Sequence, residues 1–248
     1  MNDITAAILV IGDEILSGRT KDKNIGYIAD CLTNVGVYLS EVRIVPDKEE
    51  KIIQALDSLR NEYTYVLTTG GIGPTHDDIT ADCVAKAFGV EISENKEAID
   101  MLLERIPLED LNESRRRMAR IPHGATLIEN SVSKAPGFNI GNVFVMAGVP
   151  SVMQAMLDVV ITRMETGQKL LSCNIHTNIK EGDLAEILRD IQKETTSVII
   201  GSYPYYNESG YGANVVCRGK NIDDIKSVAT IIKEKLSNIG NVEIGEII

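Results

Sequence analysis

Positive charge is scarce in this sequence: 25 lysines and arginines face 36 aspartates and glutamates, for a formal net charge of −11. Nucleic acid and anionic lipid are both gripped through a positive face, so neither is expected as a partner. The one basic run is Arg115-Arg116-Arg117, which reads either as a solvated helix face or as a contact for phosphate or an acidic ligand. Cysteine is equally sparse. Cys31, Cys83, Cys173 and Cys217 lie far apart without a C-x-x-C pair, which argues against a zinc site or a disulfide framework and for buried, reduced thiols. No stretch approaches the roughly 18 apolar residues of a membrane span. The start, Met1-Asn2-Asp3-Ile4, lacks a basic region leading into an apolar core. These absences lead us to expect a cytoplasmic protein. Internal repeats and low-complexity tracts are missing as well.

What is present is ordinary globular composition: 44% hydrophobic, 25% charged, mean hydropathy −0.02. A chain of 248 residues has room for two modest domains. Ile4 to Ile11 is an almost continuous apolar run ending at Gly12, the pattern of a strand buried on both faces. A helix is expected from Lys23 to Val35, a strand from Val37 to Val45, a helix from Glu49 to Leu59 and a strand from Tyr63 to Thr69. Another helix is expected over Asp78 to Phe88, with polar helical material continuing to about Ala119, then a strand at Val143 to Met146 and a helix over Ser151 to Met164. Such β/α alternation predicts an α/β fold, a three-layer αβα domain with a mostly parallel sheet and ligands beyond the carboxyl ends of its strands. That domain is expected over residues 1–166, with Thr166-Gly167-Gln168 as a linker. Residues 169–248 predict a smaller α+β domain in βαββαβ order, similar to a split βαβ arrangement. This second part holds 9 Lys and Arg against 11 Asp and Glu, leaving 16 against 25 for the first, so the acidity is concentrated in the larger domain.

The chemistry is expected where Thr69 gives way to Gly70-Gly71-Ile72-Gly73-Pro74-Thr75-His76-Asp77-Asp78. Glycines at 70, 71 and 73 let main-chain N–H groups approach a ligand, and the helix start that follows favours an anion such as phosphate. Asp77, Asp78 and Thr80 suit helix capping. Two carboxylates beside a phosphate would repel it unless a cation intervened, which points to a divalent metal and to Asp78 as the catalytic or metal-linked group. His76 suits either an exposed loop or an acid–base role. Gly12-Asp13-Glu14 and Asp47 supply further carboxylates at strand ends, and Asp13, Asp47 and Asp78 could converge on one metal-bound phosphate. Lys134-Ala135-Pro136-Gly137 and Gly148-Val149-Pro150 are turn signals; Lys134 would balance a phosphate, and Ser151 could cap the helix after Pro150.

In combination, Gly12-Asp13-Glu14-Ile15-Leu16, Gly70 to Thr75 with Asp77-Asp78, Ala135-Pro136-Gly137 and Gly148-Val149-Pro150 resemble the molybdopterin-binding (MoaB/Mog-like) domain, in the version found in competence/damage-inducible protein A. The resemblance covers roughly residues 4–165. The second part, with Ile200-Gly201-Ser202-Tyr203-Pro204, is similar to the small module that follows this domain in the same family. The family's C-terminal amidase domain is not expected in a chain ending at Ile248.

The resemblance implies a pterin or nucleotide-pyrophosphate ligand at the glycine loop and a homo-oligomer. By motif, Asp47 and Asp78 match acidic residues of the molybdopterin adenylyltransferase branch. The competence-protein branch, and the related domain of eukaryotic FAD synthases, imply hydrolysis of a pyrophosphate such as ADP-ribose or FAD with a divalent metal, and with potassium as a further ion. The alternatives are adenylyl transfer to molybdopterin and a sensor without turnover. Ser133 stands where the family usually has glycine, and Ala147 where it usually has proline.

Overall fold

The structure is a computed structural model that describes residues 3–207 and 210–248. Met1 and Asn2, read above for a leader, lie outside them. Among the described residues no helix is long and apolar enough to cross a membrane. The chain divides after Gly167 into two compact units.

The first unit begins with β1 (Thr5–Ile11), followed by α1 (Asp13–Leu16), α2 (Asn24–Asn34), β2 (Tyr38–Val45), α3 (Glu49–Glu62) and β3 (Tyr65–Thr69). It continues through α4 (Thr80–Phe88), β4 (Ile92–Glu94), α5 (Lys96–Leu103), α6 (Glu113–Arg116), β5 (Arg120–Pro122), β6 (Thr126–Ile128), β7 (Gly137–Ile140), β8 (Val143–Met146) and α7 (Pro150–Arg163). Six strands form one sheet in the order β2-β1-β3-β8-β7-β6. The first four are parallel, and β7 and β6 add antiparallel pairs at one edge. The apolar run of β1 is explained by its two faces. Ala7, Leu9 and Ile11 pack into one core with Leu56 and Leu59 of α3 and Val84 of α4. Ala6, Ile8 and Val10 pack into a second core with Ile28 and Leu32 of α2 and Met153 and Leu157 of α7. Alternate side chains of a strand point to opposite faces, so a central strand in a three-layer domain has no polar side to show.

Two expectations are corrected by this architecture, and two strands are added to it. The stretch to Ala119 is not continuous helix: β4 pairs antiparallel with β5 around α5 and α6. β6 and β7 add short strands that the sequence reading passed over. Ser151 does not cap α7, because Val149 occupies the cap position and Pro150 the first turn, where a missing N–H costs nothing.

The second unit is β9 (Leu171–Thr177), α8 (Glu181–Glu194), β10 (Val198–Asn207), β11 (Gly210–Gly219), α9 (Ile222–Leu236) and β12 (Val242–Ile247). Its sheet runs β10-β11-β9-β12, antiparallel throughout, which is the split arrangement expected from the βαββαβ order. Ile175, Val215 and Cys217 meet Leu184, Leu188, Val228 and Ile232 of the two helices in a separate core.

Candidate functional site

β1, β2 and β3 are parallel neighbours, so the segments leaving them emerge along the same edge of the sheet. The glycine loop after β3 is pressed against the end of β1. Gly70 has φ 100°, and a Cβ there would lie 2.1 Å from the Ile11 carbonyl oxygen; at Gly71, with φ 67°, it would lie 2.1 Å from Thr80 Oγ1. Only glycine meets both the left-handed backbone and the contact. Thr80 closes the loop from below: its amide donates to the Gly71 carbonyl at 2.9 Å and its hydroxyl to the Gly70 carbonyl at 3.0 Å.

This corrects the helix-start reading. α4 begins at Thr80 rather than Asp78, Ile79 occupies its cap position, and no side chain caps it. Asp78 instead ties the loop together, its Oδ2 accepting from the Thr75 amide at 2.8 Å and the Thr75 hydroxyl at 2.5 Å. Gly73 gives this carboxylate room, since a Cβ there would sit 2.7 Å from Asp78 Oδ2. The amides of Gly71, Ile72 and Gly73 make no hydrogen bond among the described residues. The donors on offer to a ligand are therefore those of the glycine loop itself.

The loop forms one wall of a cleft of about 520 Å³. Gly70 to Pro74, Asp78 and Glu14 line it with Gly148, Val149 and Pro150 from the β8–α7 turn. Gly148 lets the two turns touch, because a Cβ there would be 3.3 Å from Gly70 Cα, and its carbonyl accepts from Asn24 Nδ2 at 2.9 Å. Ser133 and Ala147, the two departures from the family pattern, both face the cleft. Thr20, Met118, Ala135 and Val152 complete it. Ala135 belongs to a turn motif already legible in the sequence, whereas no residue type or spacing singled out Thr20, Met118 or Val152, whose approach depends on the packed sheet.

A second groove, of about 580 Å³, is bordered by Asp13, Glu14, Asp47 and Asp77, with Arg19 as its basic residue. Gly12 opens this region: its amide donates to the Val45 carbonyl at 3.1 Å, and its missing side chain leaves space for the Glu14 carboxylate, 2.5 Å from where a Cβ would be. Asp47 is held above its ordinary pKa by burial, with like charge from Glu14, Asp13 and Asp77 adding to the effect and the Asp13 amide opposing it. Asp77 is held below its ordinary value, chiefly by the Thr75 side chain. His76 is an exposed loop residue, its side chain 97% accessible.

The structure brings Asp13 and Asp47 together and puts Asp78 in the neighbouring cleft, with Glu14 common to both. Among the described residues no three His, Cys, Asp or Glu side chains are grouped to hold a metal ion. Lys134 is also not where a phosphate counter-charge was expected. It has φ 63°, its Nζ pairs with Glu104 at 2.5 Å, and it does not line the cleft. Pro136 borders a small cavity behind the loop, and Gly137 is required by packing, since a Cβ would meet the Val145 carbonyl at 2.3 Å.

Residues 7–166, which contain every segment of this site, match the family described as "Probable molybdopterin binding domain". The chain belongs to that family. Residues 169–243 match the FAD synthase middle domain, so the family's domain is here joined to a second recognised module. An Archaeoglobus fulgidus protein is 31% identical over 231 residues, spanning 93% of this chain and 97% of the relative. A Saccharolobus islandicus protein is 35% identical over 200 residues, 76% of each chain. Among solved structures, the protein CinA of unknown function from Thermoplasma acidophilum aligns with a TM-score of 0.62 at 32% identity, over 66% of this chain and 99% of that one. The αβα architecture expected from the motif combination is thus the family's own.

Proposed function

We propose that the cleft binds a nucleotide or pterin phosphate and that the protein hydrolyses a nucleotide pyrophosphate of the ADP-ribose kind with the help of a divalent cation. The observation that carries this reading is the row of unpartnered amides at Gly71, Ile72 and Gly73 in a cleft that also holds Asp78 and Glu14. Successive amides of this kind stabilise phosphate oxygens. Val149, Pro150 and Met118 supply an apolar surface for a planar ring system. The joined FAD synthase middle module supports the hydrolase branch over a stand-alone pterin enzyme.

In the reaction, water attacks one phosphorus of the pyrophosphate, the bridging P–O bond breaks, and AMP and ribose phosphate leave with release of a proton. Asp78 is suited to orient that water and accept its proton through Oδ1, since Thr75 occupies only Oδ2. The carboxylate chemistry fits a hard cation, but no pre-built cluster of three ligands is present among the described residues. Glu14 and Asp13 would hold such an ion together with phosphate oxygens and water, a mode usual for Mg²⁺, which leaves Asp78 Oδ1 to act on the attacking water. When bound, the cation would neutralise charge developing on phosphate.

A second reading, adenylyl transfer to molybdopterin, is favoured by the domain match itself. Phosphorus NMR of the protein with ADP-ribose and potassium, with and without a divalent metal, separates the two. Metal-dependent appearance of AMP and ribose phosphate is expected. An unchanged spectrum, with turnover of ATP and molybdopterin instead, would replace the first reading by the second.

A further inference from the structure

The arginines near the site differ in how their charge is used. Arg115 turns back to the Asp110 carbonyl and carboxylate. Arg116 pairs with Glu94 at 3.0 Å. Arg120 forms a two-pronged pair with Asp82 at 2.9 and 2.6 Å. Arg117 has no carboxylate partner among the described residues. Its Nη2 donates to the main-chain carbonyl of Asp78 at 3.2 Å, and its Nε is buried without any partner. Like Lys134 it does not line the cleft; it borders a small cavity whose other walls include Gly71, Ile72, Gly73 and Asp78, residues that also face the cleft. A guanidinium with an unused, buried N–H is unfavourable unless something accepts from it. Here that group stands behind the free amides of the glycine loop.

We propose that Arg117 is the cationic residue that reads the ligand's phosphate at the glycine loop, the role expected of Lys134. The proposal rests on the phosphate-binding reading above. It assigns to Arg117 a contact with a phosphate monoester or diester oxygen, with the Asp78 carbonyl holding the guanidinium in place. Arginine suits this position because its planar fork can hold the Asp78 carbonyl and a phosphate oxygen at once, whereas a lysine ammonium lacks that fixed geometry.

The test is titration calorimetry with AMP and with adenosine, in magnesium, on the full chain and on Arg117→Gln and Arg117→Lys, with thermal unfolding to establish that each variant is folded. The wild type should prefer AMP. Arg117→Gln should weaken AMP by about tenfold to a hundredfold and leave adenosine unchanged, while Arg117→Lys keeps part of the preference. A variant that weakens both ligands equally, or that keeps the full preference for AMP, overturns the proposal while leaving the phosphate site standing. Wild type that binds neither AMP, ADP-ribose nor a pterin phosphate overturns the site reading and this one with it. If Arg117→Gln does not fold, the AMP-to-adenosine ratio of Arg117→Lys decides: an unchanged ratio overturns the proposal.

Discussion

The Asp13 amide donates to Asp47 Oδ2 at 2.9 Å, binding the start of α1 to the turn after β2. Two acidic residues 34 positions apart are thus held side by side, through a main-chain donor rather than through opposite charge. The bond favours the ionised form of Asp47, yet burial and the charges of Glu14, Asp13 and Asp77 outweigh it.

Asp47→Asn therefore stabilises the protein near neutral pH. The folded state keeps the Asp47 proton to higher pH than the unfolded chain does. Its penalty is absent below the ordinary value of 3.8, grows as pH rises through the elevated folded value, and is constant above it. An asparagine oxygen can still accept from the Asp13 amide. The melting-temperature advantage of the variant should widen between about pH 4 and about pH 7. An advantage that narrows over that range would show that the hydrogen bond to a charged oxygen dominates.

Asp78→Asn should retain the loop, because asparagine also accepts from Thr75, and lose turnover of a pyrophosphate substrate by about a hundredfold or more. Circular dichroism and steady-state rates together check this. Full activity in a folded variant would remove Asp78 from the reaction.

Gly71→Ala should destabilise the first unit by roughly 1–3 kcal/mol through left-handed strain, with a further loss from the contact with Thr80 Oγ1. Thr80→Ala alone should cost about 1–3 kcal/mol by leaving the buried Gly70 carbonyl without its hydroxyl donor. The two changes share one contact, so the double variant should lose less than the sum of the singles in denaturant unfolding. Strict additivity would mean that the loop moves away from α4 when Gly71 is changed.

Lys134→Gly should be more stable than Lys134→Ala by about 1 kcal/mol, since only glycine accepts φ 63° without cost. Neither variant should alter phosphate affinity, because the lost ion pair with Glu104 is exposed and worth at most about 1 kcal/mol. A large fall in affinity in either variant would return Lys134 to the site.

What the sequence determined by itself was local in origin. The unbroken apolar run of β1 could only be a strand covered on both faces, because each alternate side chain required its own core. The glycine loop was legible for a similar reason: glycines clustered at a strand-to-helix turn imply unusual backbone angles and close approach, and both occur at Gly70 and Gly71. The βαββαβ order of the second unit was legible too and suggested a split arrangement, while the strand order of its sheet came from the tertiary structure.

Tertiary structure alone decided which polar groups are spent and which remain available. Arg115, Arg116 and Arg117 are the same residue type, and they differ because each reaches another partner: Asp110 close by in the chain for Arg115, and Glu94 and the Asp78 carbonyl from distant segments for Arg116 and Arg117. The sequence offers Lys134 as a phosphate counter-charge, and the tertiary structure pairs it with Glu104, 30 residues away. Thr80 could have capped its own helix; the packed loop instead placed the Gly70 carbonyl within reach of its hydroxyl. Periodicity records how a segment meets its core, whereas hydrogen bonds and ion pairs act over a few ångströms. The partner each group finds depends on how the whole chain is packed.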